Sequence, residues 1–188
     1  MPILGTIASS TRQGLSVSSY DSIATVTSGS GGISSASFTS IPSTYSHLQI
    51  RFIATTNDSN YNAALIRFNS DSGANYSWRA MYGSASGVGS EGGYSDTAIR
   101  TISIGGTTQG SAFTLSIVNI LDYKSTSKNK SSRWITGQDS NGAGYGQQGS
   151  GLWMNNTTAI TSITITPITG GAVFREYSSF ALYGIKGA

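Results

Sequence analysis

The sequence predicts an all-β fold: an antiparallel two-sheet sandwich of the jelly-roll type with an irregular N-terminal arm. Three observations predict it. Apolar and polar residues alternate with period two in run after run. The runs are short, and clusters of Gly, Ser, Asn and Asp separate them at regular spacing. No stretch carries the apolar recurrence of an amphipathic helix, and 24 glycines would weaken one.

The elements follow in order. Residues 1–18 lack alternation and are rich in Ser, Thr, Gln and Gly, which marks an arm. Its apolar residues Ile3, Leu4, Ile7, Leu15 and Val17 need a surface to cover them and form one candidate partner-binding set. Residues 19–188 then form a single β-sandwich domain, with no interior linker and no repeat beyond the strand period. Strands are expected at 20–27 and 33–39. From His47 to Ala54, Leu48, Ile50, Phe52 and Ala54 point one way, Gln49 and Arg51 the other. Ala64, Ile66 and Phe68 alternate with Arg67 and Asn69. Tyr76, Trp78, Ala80 and Tyr82 alternate with Ser77, Arg79 and Met81. Further strands are expected at 97–104, 113–121, 132–137, 150–155, 160–166 and 178–185. The connections 83–95 and 138–150 are long and Gly-rich and read as surface or sheet-crossing loops. The expected core is Leu48, Ile50, Phe52, Ile66, Phe68, Phe113, Leu115 and Ile117.

Composition narrows the function. At 188 residues the chain can bury a core without staples, so zero Cys is no handicap. It also removes a disulfide framework, a thiolate nucleophile and a Cys-based zinc site. A net charge of +3 is too weak and scattered for direct nucleic-acid binding through counterion release. Charged residues make up 10% of the chain, under half the usual share of about 25%. Ser, Thr, Gly and Asn supply the polarity and lose little rotamer entropy when an interface orders them. Such a surface suits a protein packed against copies of itself or partners. The start, Met1-Pro2-Ile3-Leu4-Gly5, lacks the basic region of a signal peptide, and no stretch approaches a membrane span, so cytoplasmic synthesis and no membrane contact are expected.

Chemistry has few places to reside. His47 is the only histidine, and it opens a strand on the outward face, so a surface role is expected and a histidine-rich metal site is excluded. The acids are Asp21, Asp58, Asp71, Glu91, Asp96, Asp122, Asp139 and Glu176. Several sit in turn sequences such as Asn69-Ser70-Asp71-Ser72-Gly73 and Gln138-Asp139-Ser140-Asn141-Gly142, where Asp bonds its own backbone. An irregular calcium loop at Asp71 or Asp139 is the rival reading. Gly87–Gly92 matches GxGxxG, but no helix follows it, and 105–111 has P-loop spacing without the lysine. No catalytic residue and no cofactor is expected. Lys124, Lys128, Lys130 and Arg133 form the one basic cluster, a solvated connection or a contact to an acidic neighbour. Tyr145, alone among glycines at 142–146, is the candidate exposed aromatic anchor.

Four segments carry a family likeness: Phe38 through Arg51, Arg67 through Ser77, Ile120-Leu121-Asp122-Tyr123, and Ser178 through Gly187. On these the chain resembles small virion structural proteins of tailed phages infecting cyanobacteria and other aquatic bacteria. The resemblance implies a virion part, labelled fibre or structural protein among its members, and it carries over no catalytic residues. A head decoration (cement) protein needs a compact β domain, an arm and self-association, here expected as a homotrimer on the major capsid protein or another virion protein. A receptor- or glycan-binding tail-fibre tip is the alternative, though heptads and collagen-like repeats are lacking. A small polysaccharide depolymerase is a third.

Overall fold

The computed structural model describes residues 19–109 and 112–187; the arm residues Ile3, Leu4, Ile7, Leu15 and Val17 lie outside that range. Twelve strands and one 3-10 turn, Thr107–Gln109, make up its regular structure. The strands are β1 (Tyr20–Thr27), β2 (Ala36–Phe38), β3 (His47–Ala54), β4 (Asn62–Phe68), β5 (Tyr76–Ser84) and β6 (Gly87–Asp96). They continue with β7 (Ile99–Ile104), β8 (Thr114–Ile120), β9 (Lys130–Asp139), β10 (Gly144–Trp153), β11 (Ile163–Pro167) and β12 (Ser179–Ile185). All pairings between these strands are antiparallel. The larger sheet runs β1-β12-β3-β8-β9-β10-β5-β6 and the smaller β2-β11-β4-β7. The expected antiparallel two-sheet sandwich is what the chain forms.

Alternation puts one row of side chains from each strand into a shared core. Leu48, Ile50 and Phe52 of β3 and Phe180 and Leu182 of β12 meet Phe38, Ile66, Phe68, Ile163 and Ile165 of the smaller sheet. Phe180 lies in this core with its ring 5.3 Å from Phe52 on the adjoining strand and 4.7 Å from Phe174. At the other end Trp153 lies against Phe68 and Tyr76. The rims are held by polar side chains that replace missing ladder bonds. Asn69, at positive φ, accepts from the Thr161 and Ser162 amides and donates to the Ala159 carbonyl.

Two expectations about loops fail here. Residues 83–95 and 138–150 are largely strand: β6 and β10, joined to their partners by tight turns at Ala85-Ser86 and 140–143. Glycine in these strands makes room instead of breaking them. Gly149 pairs with Trp134, Gly89 with Tyr82 and Gly93 with Trp78. A Cβ on them would sit 2.3 Å from the Trp134 ring, 2.6 Å from the Tyr82 ring and 2.7 Å from Trp78 Nε1. The rings lie against the bare backbone of the neighbouring strand, a known device for protecting glycine in sheets.

A third expectation fails on β8, whose faces are reversed. Thr114, Ser116, Val118 and Ile120 point inward, while Leu115 is 57% exposed and Ile117 and Phe113 are half-buried. The inward hydroxyls are hydrogen-bonded: Ser116 to Thr136 at 2.8 Å, and Thr114 Oγ1 accepting from the Gly105 amide at 2.9 Å. Satisfied hydroxyls cost little inside a core, so the strand can turn its larger apolar side chains to solvent.

Candidate functional site

The face of the larger sheet turned away from the core is built by the alternate residues of its strands. Cross-strand register places them in rows. One row runs Ile53, Leu115, Gly137, Gly146, Gly83, Val88 across β3, β8, β9, β10, β5 and β6. The next runs Arg51, Ile117, Ile135, Gln148, Met81, Ser90, and a third Gln49, Asn119, Arg133, Ser150, Arg79, Gly92. The first two rows form an apolar band. Ile135 is 59% exposed, Met81 58% and Val88 91%.

The three glycines of the first row open the surface. No atom of another residue lies within 4 Å of a Cβ built on Gly137 or Gly146. A depression of ≈ 680 Å³ results, lined by Met81, Val88, Ile135 and Gln148 among others. Beside it Arg79 and Arg133 flank Ser150. A second depression, ≈ 400 Å³, takes in both arginines, Met81, Ser90 and Gln148. A third, ≈ 450 Å³, takes in both arginines with Tyr94, Leu121 and Leu152. The Arg79 stem lies across Gly92, where a Cβ would be 2.5 Å from its Cδ.

Charge on this face is unbalanced. The ion pairs among the described residues are Lys186–Asp21, Lys128–Asp122 and His47–Asp122. Arg79 and Arg133 belong to none of them. Most acids serve their own fold. Asp71 accepts from Trp153 Nε1 at 2.7 Å, Asn75 Nδ2 at 2.9 Å and the Gly73 amide. Burial pushes its pKa up, but these bonds outweigh burial and hold the carboxyl below the usual aspartate range. Asp96 accepts from Trp78 Nε1, Asp58 from Asn62, and Asp139 from the Asn141 amide across its turn. Glu91 also lines the ≈ 400 Å³ depression, with its carboxylate accepting from Gln147 Nε2, and burial raises its pKa against the opposing effect of Arg100.

The residues singled out from the sequence disperse. Lys124 and Lys128 lie on the β8–β9 connection, and Arg133 stands on the β9 outer face. Lys130 is fully buried, a correction to the basic-cluster reading. Its ammonium donates to the carbonyls of Asn155 and Thr158 and lies 5.3 Å from the Trp153 ring centre, and burial lowers its pKa. Tyr145 is likewise not an exposed loop anchor. It is a half-buried β10 residue, stacked on Tyr82 at 5.2 Å and tilted against Tyr61 at 5.8 Å. Burial, then the nearby Glu91 charge, push its phenol up to about 12. His47 Nδ1 accepts from the Asp122 amide at 3.1 Å. No three His, Cys, Asp or Glu side chains converge on a metal-sized site among the described residues, and Asp71 and Asp139 are engaged as described.

Sequence reasoning missed Arg79, Met81, Ile135 and Gln148 as one surface. The signal available was the doubly apolar run Leu115-Ser116-Ile117-Val118, which cannot hide both its faces. Comparison with known proteins gives no match to a protein family, a curated protein or a solved structure.

Proposed function

We propose that this chain is a non-enzymatic structural protein of a tailed-phage virion, a head decoration (cement) protein that binds the capsid shell through the uncovered face of its larger sheet. The observation that carries the reading is the in-register apolar band Ile53, Leu115, Ile135, Met81 and Val88, left in solvent by a domain with a complete core behind it. Contiguous exposed apolar surface marks an interaction site. Covering each such side chain contributes up to about 1.5–3 kcal/mol, before the cost of association. The family likeness of the sequence supplies the virion context.

The strand order supports the jelly-roll form of the sandwich. With the β5-β6 and β9-β10 hairpins set aside, eight strands remain as β1-β12-β3-β8 and β2-β11-β4-β7. Jelly rolls recur in viral capsid and lectin domains, a link of fold-level analogy. Self-association as a homotrimer belongs to the same reading. The outer edge of β6, ten residues long, has no neighbouring strand among the described residues and offers main-chain groups through which copies could associate. The arm would add docking contacts, so a chain lacking residues 1–18 should fold and fail to hold its particle.

The test is co-sedimentation of purified protein with heads stripped of it. Wild type should pellet with the heads, and Leu115→Arg/Ile135→Arg should stay folded and remain in the supernatant. Undiminished binding by that variant would overturn the docking face. Binding to tails or host cells and not to heads would replace decoration with the receptor-binding role.

A further inference from the structure

We infer that the docking face takes an acidic protein segment, whose carboxylates meet Arg79 and Arg133 while its apolar side chains cover Met81 and Ile135. The inference rests on the docking-face reading above and names the partner's chemistry. Arg79, Ser150 and Arg133 are consecutive in one cross-strand row, so the two guanidinium groups stand on strands separated by one other. Strand spacing puts their backbones roughly 9.5 Å apart. Neither belongs to an ion pair, and both line the same depressions on either side. Ser150 adds a neutral donor between them, and Gln148 and Ser90 add two more in the adjoining row. Arginine is the side chain best shaped to take a carboxylate through two parallel bonds.

A second copy is a poor occupant. An isologous pair on this face would bring the arginines of both copies together, and like charges across an interface oppose binding. The chain has few carboxylates to answer them: Asp21, Asp58, Asp71, Glu91, Asp96, Asp122 and Asp139 each already hold a bond within their own fold, which leaves Glu176 alone. A neutral apolar partner would leave the arginines desolvated without a counter-charge, which is costly. An anionic glycan would satisfy the arginines, with Tyr94 as the exposed ring beside them, but has little use for the adjoining band of Ile, Leu, Met and Val.

The test uses the full chain and a labelled peptide of alternating Glu and Leu, with an alternating Lys and Leu peptide and oligogalacturonate as comparison probes. Fluorescence anisotropy should show binding of the Glu/Leu peptide, weakened by salt and at least about tenfold weaker in Arg79→Gln/Arg133→Gln. Met81→Ser/Ile135→Ser should weaken it as well, and the Lys/Leu peptide should not bind. Two results overturn the inference: no binding of the Glu/Leu peptide, or binding that ignores the arginine substitutions. Oligogalacturonate bound through the arginines and indifferent to Met81 and Ile135 overturns it in favour of a glycan. If Leu115→Arg/Ile135→Arg abolishes head binding while Arg79→Gln/Arg133→Gln leaves it intact, the docking face stands and the acidic partner falls.

Discussion

The two halves of the larger sheet reach stability by different chemistry. In β1-β12-β3-β8 the inner face is aliphatic and phenylalanine-rich: Leu48, Ile50, Phe52, Phe180 and Leu182 interdigitate with the smaller sheet. In β9-β10-β5-β6 it is aromatic and glycine-rich: Trp78, Tyr82 and Trp134 lie over Gly93, Gly89 and Gly149 on the adjoining strands. The first half fills space with side chains from both sheets. The second fills it with rings laid along its own backbone. Its outer face is opened by other glycines, Gly83, Gly137 and Gly146 of the alternate row, and the candidate docking depressions lie there.

The contrast predicts a graded set of responses. Phe52→Ala should cost the most, about 3–5 kcal/mol, because it opens a cavity where both layers meet; chemical denaturation measures it. Gly149→Ala should cost about 1–3 kcal/mol by overpacking, since its methyl would collide with Trp134 and the Arg79 carbonyl. Gly146→Ala, three strand positions nearer the turn with nothing near its Cβ, should stay within about 0.5 kcal/mol of wild type. Equal losses at the two glycines would break the ring-over-glycine account.

Asp71 sets a pH response at the aromatic end. Its folded pKa lies below the unfolded one, so its stabilisation is present above the ordinary value near 3.8 and fades as pH falls through the lower folded value. The denaturation midpoint of wild type should therefore exceed that of Asp71→Asn at neutral pH, and the gap should close on acidification. A gap independent of pH would mean that the carboxylate charge is not what holds Trp153. Smallest of all, Leu115→Ser should change stability by no more than about 0.5 kcal/mol, against several for a true core leucine, while weakening particle binding.

The same division governs what the sequence disclosed. β1, β3 and β12 were legible nearly to the residue, because each alternates apolar with polar and ends on turn residues. β6 was hidden entirely and β10 in its first half, because Gly87, Gly89, Gly92 and Gly93, like Gly144, Gly146 and Gly149, look like loop when their cross-strand rings are out of sight. Tyr145 was misplaced for that reason. Lys130 was misplaced because nothing local announces that the Asn155 and Thr158 carbonyls will receive its ammonium. β8 was located and turned the wrong way round: Leu115 and Ile117 outweigh Thr114 and Ser116 on any scale of apolarity, but the hydroxyls found buried partners. That reversal is also the clearest pointer to function, since it leaves apolar side chains outside a finished core.

The chain has no cysteine, so a single introduced thiol reports one position. The most direct measurement is the maleimide reaction rate of Ile135→Cys on the outer face of the larger sheet and of Ser37→Cys on the outer face of the smaller sheet, free and on the particle. Docking through the larger sheet predicts that binding protects Ile135→Cys strongly and leaves Ser37→Cys reactive. Protection of Ser37→Cys alone, with Ile135→Cys as reactive bound as free, would contradict the account.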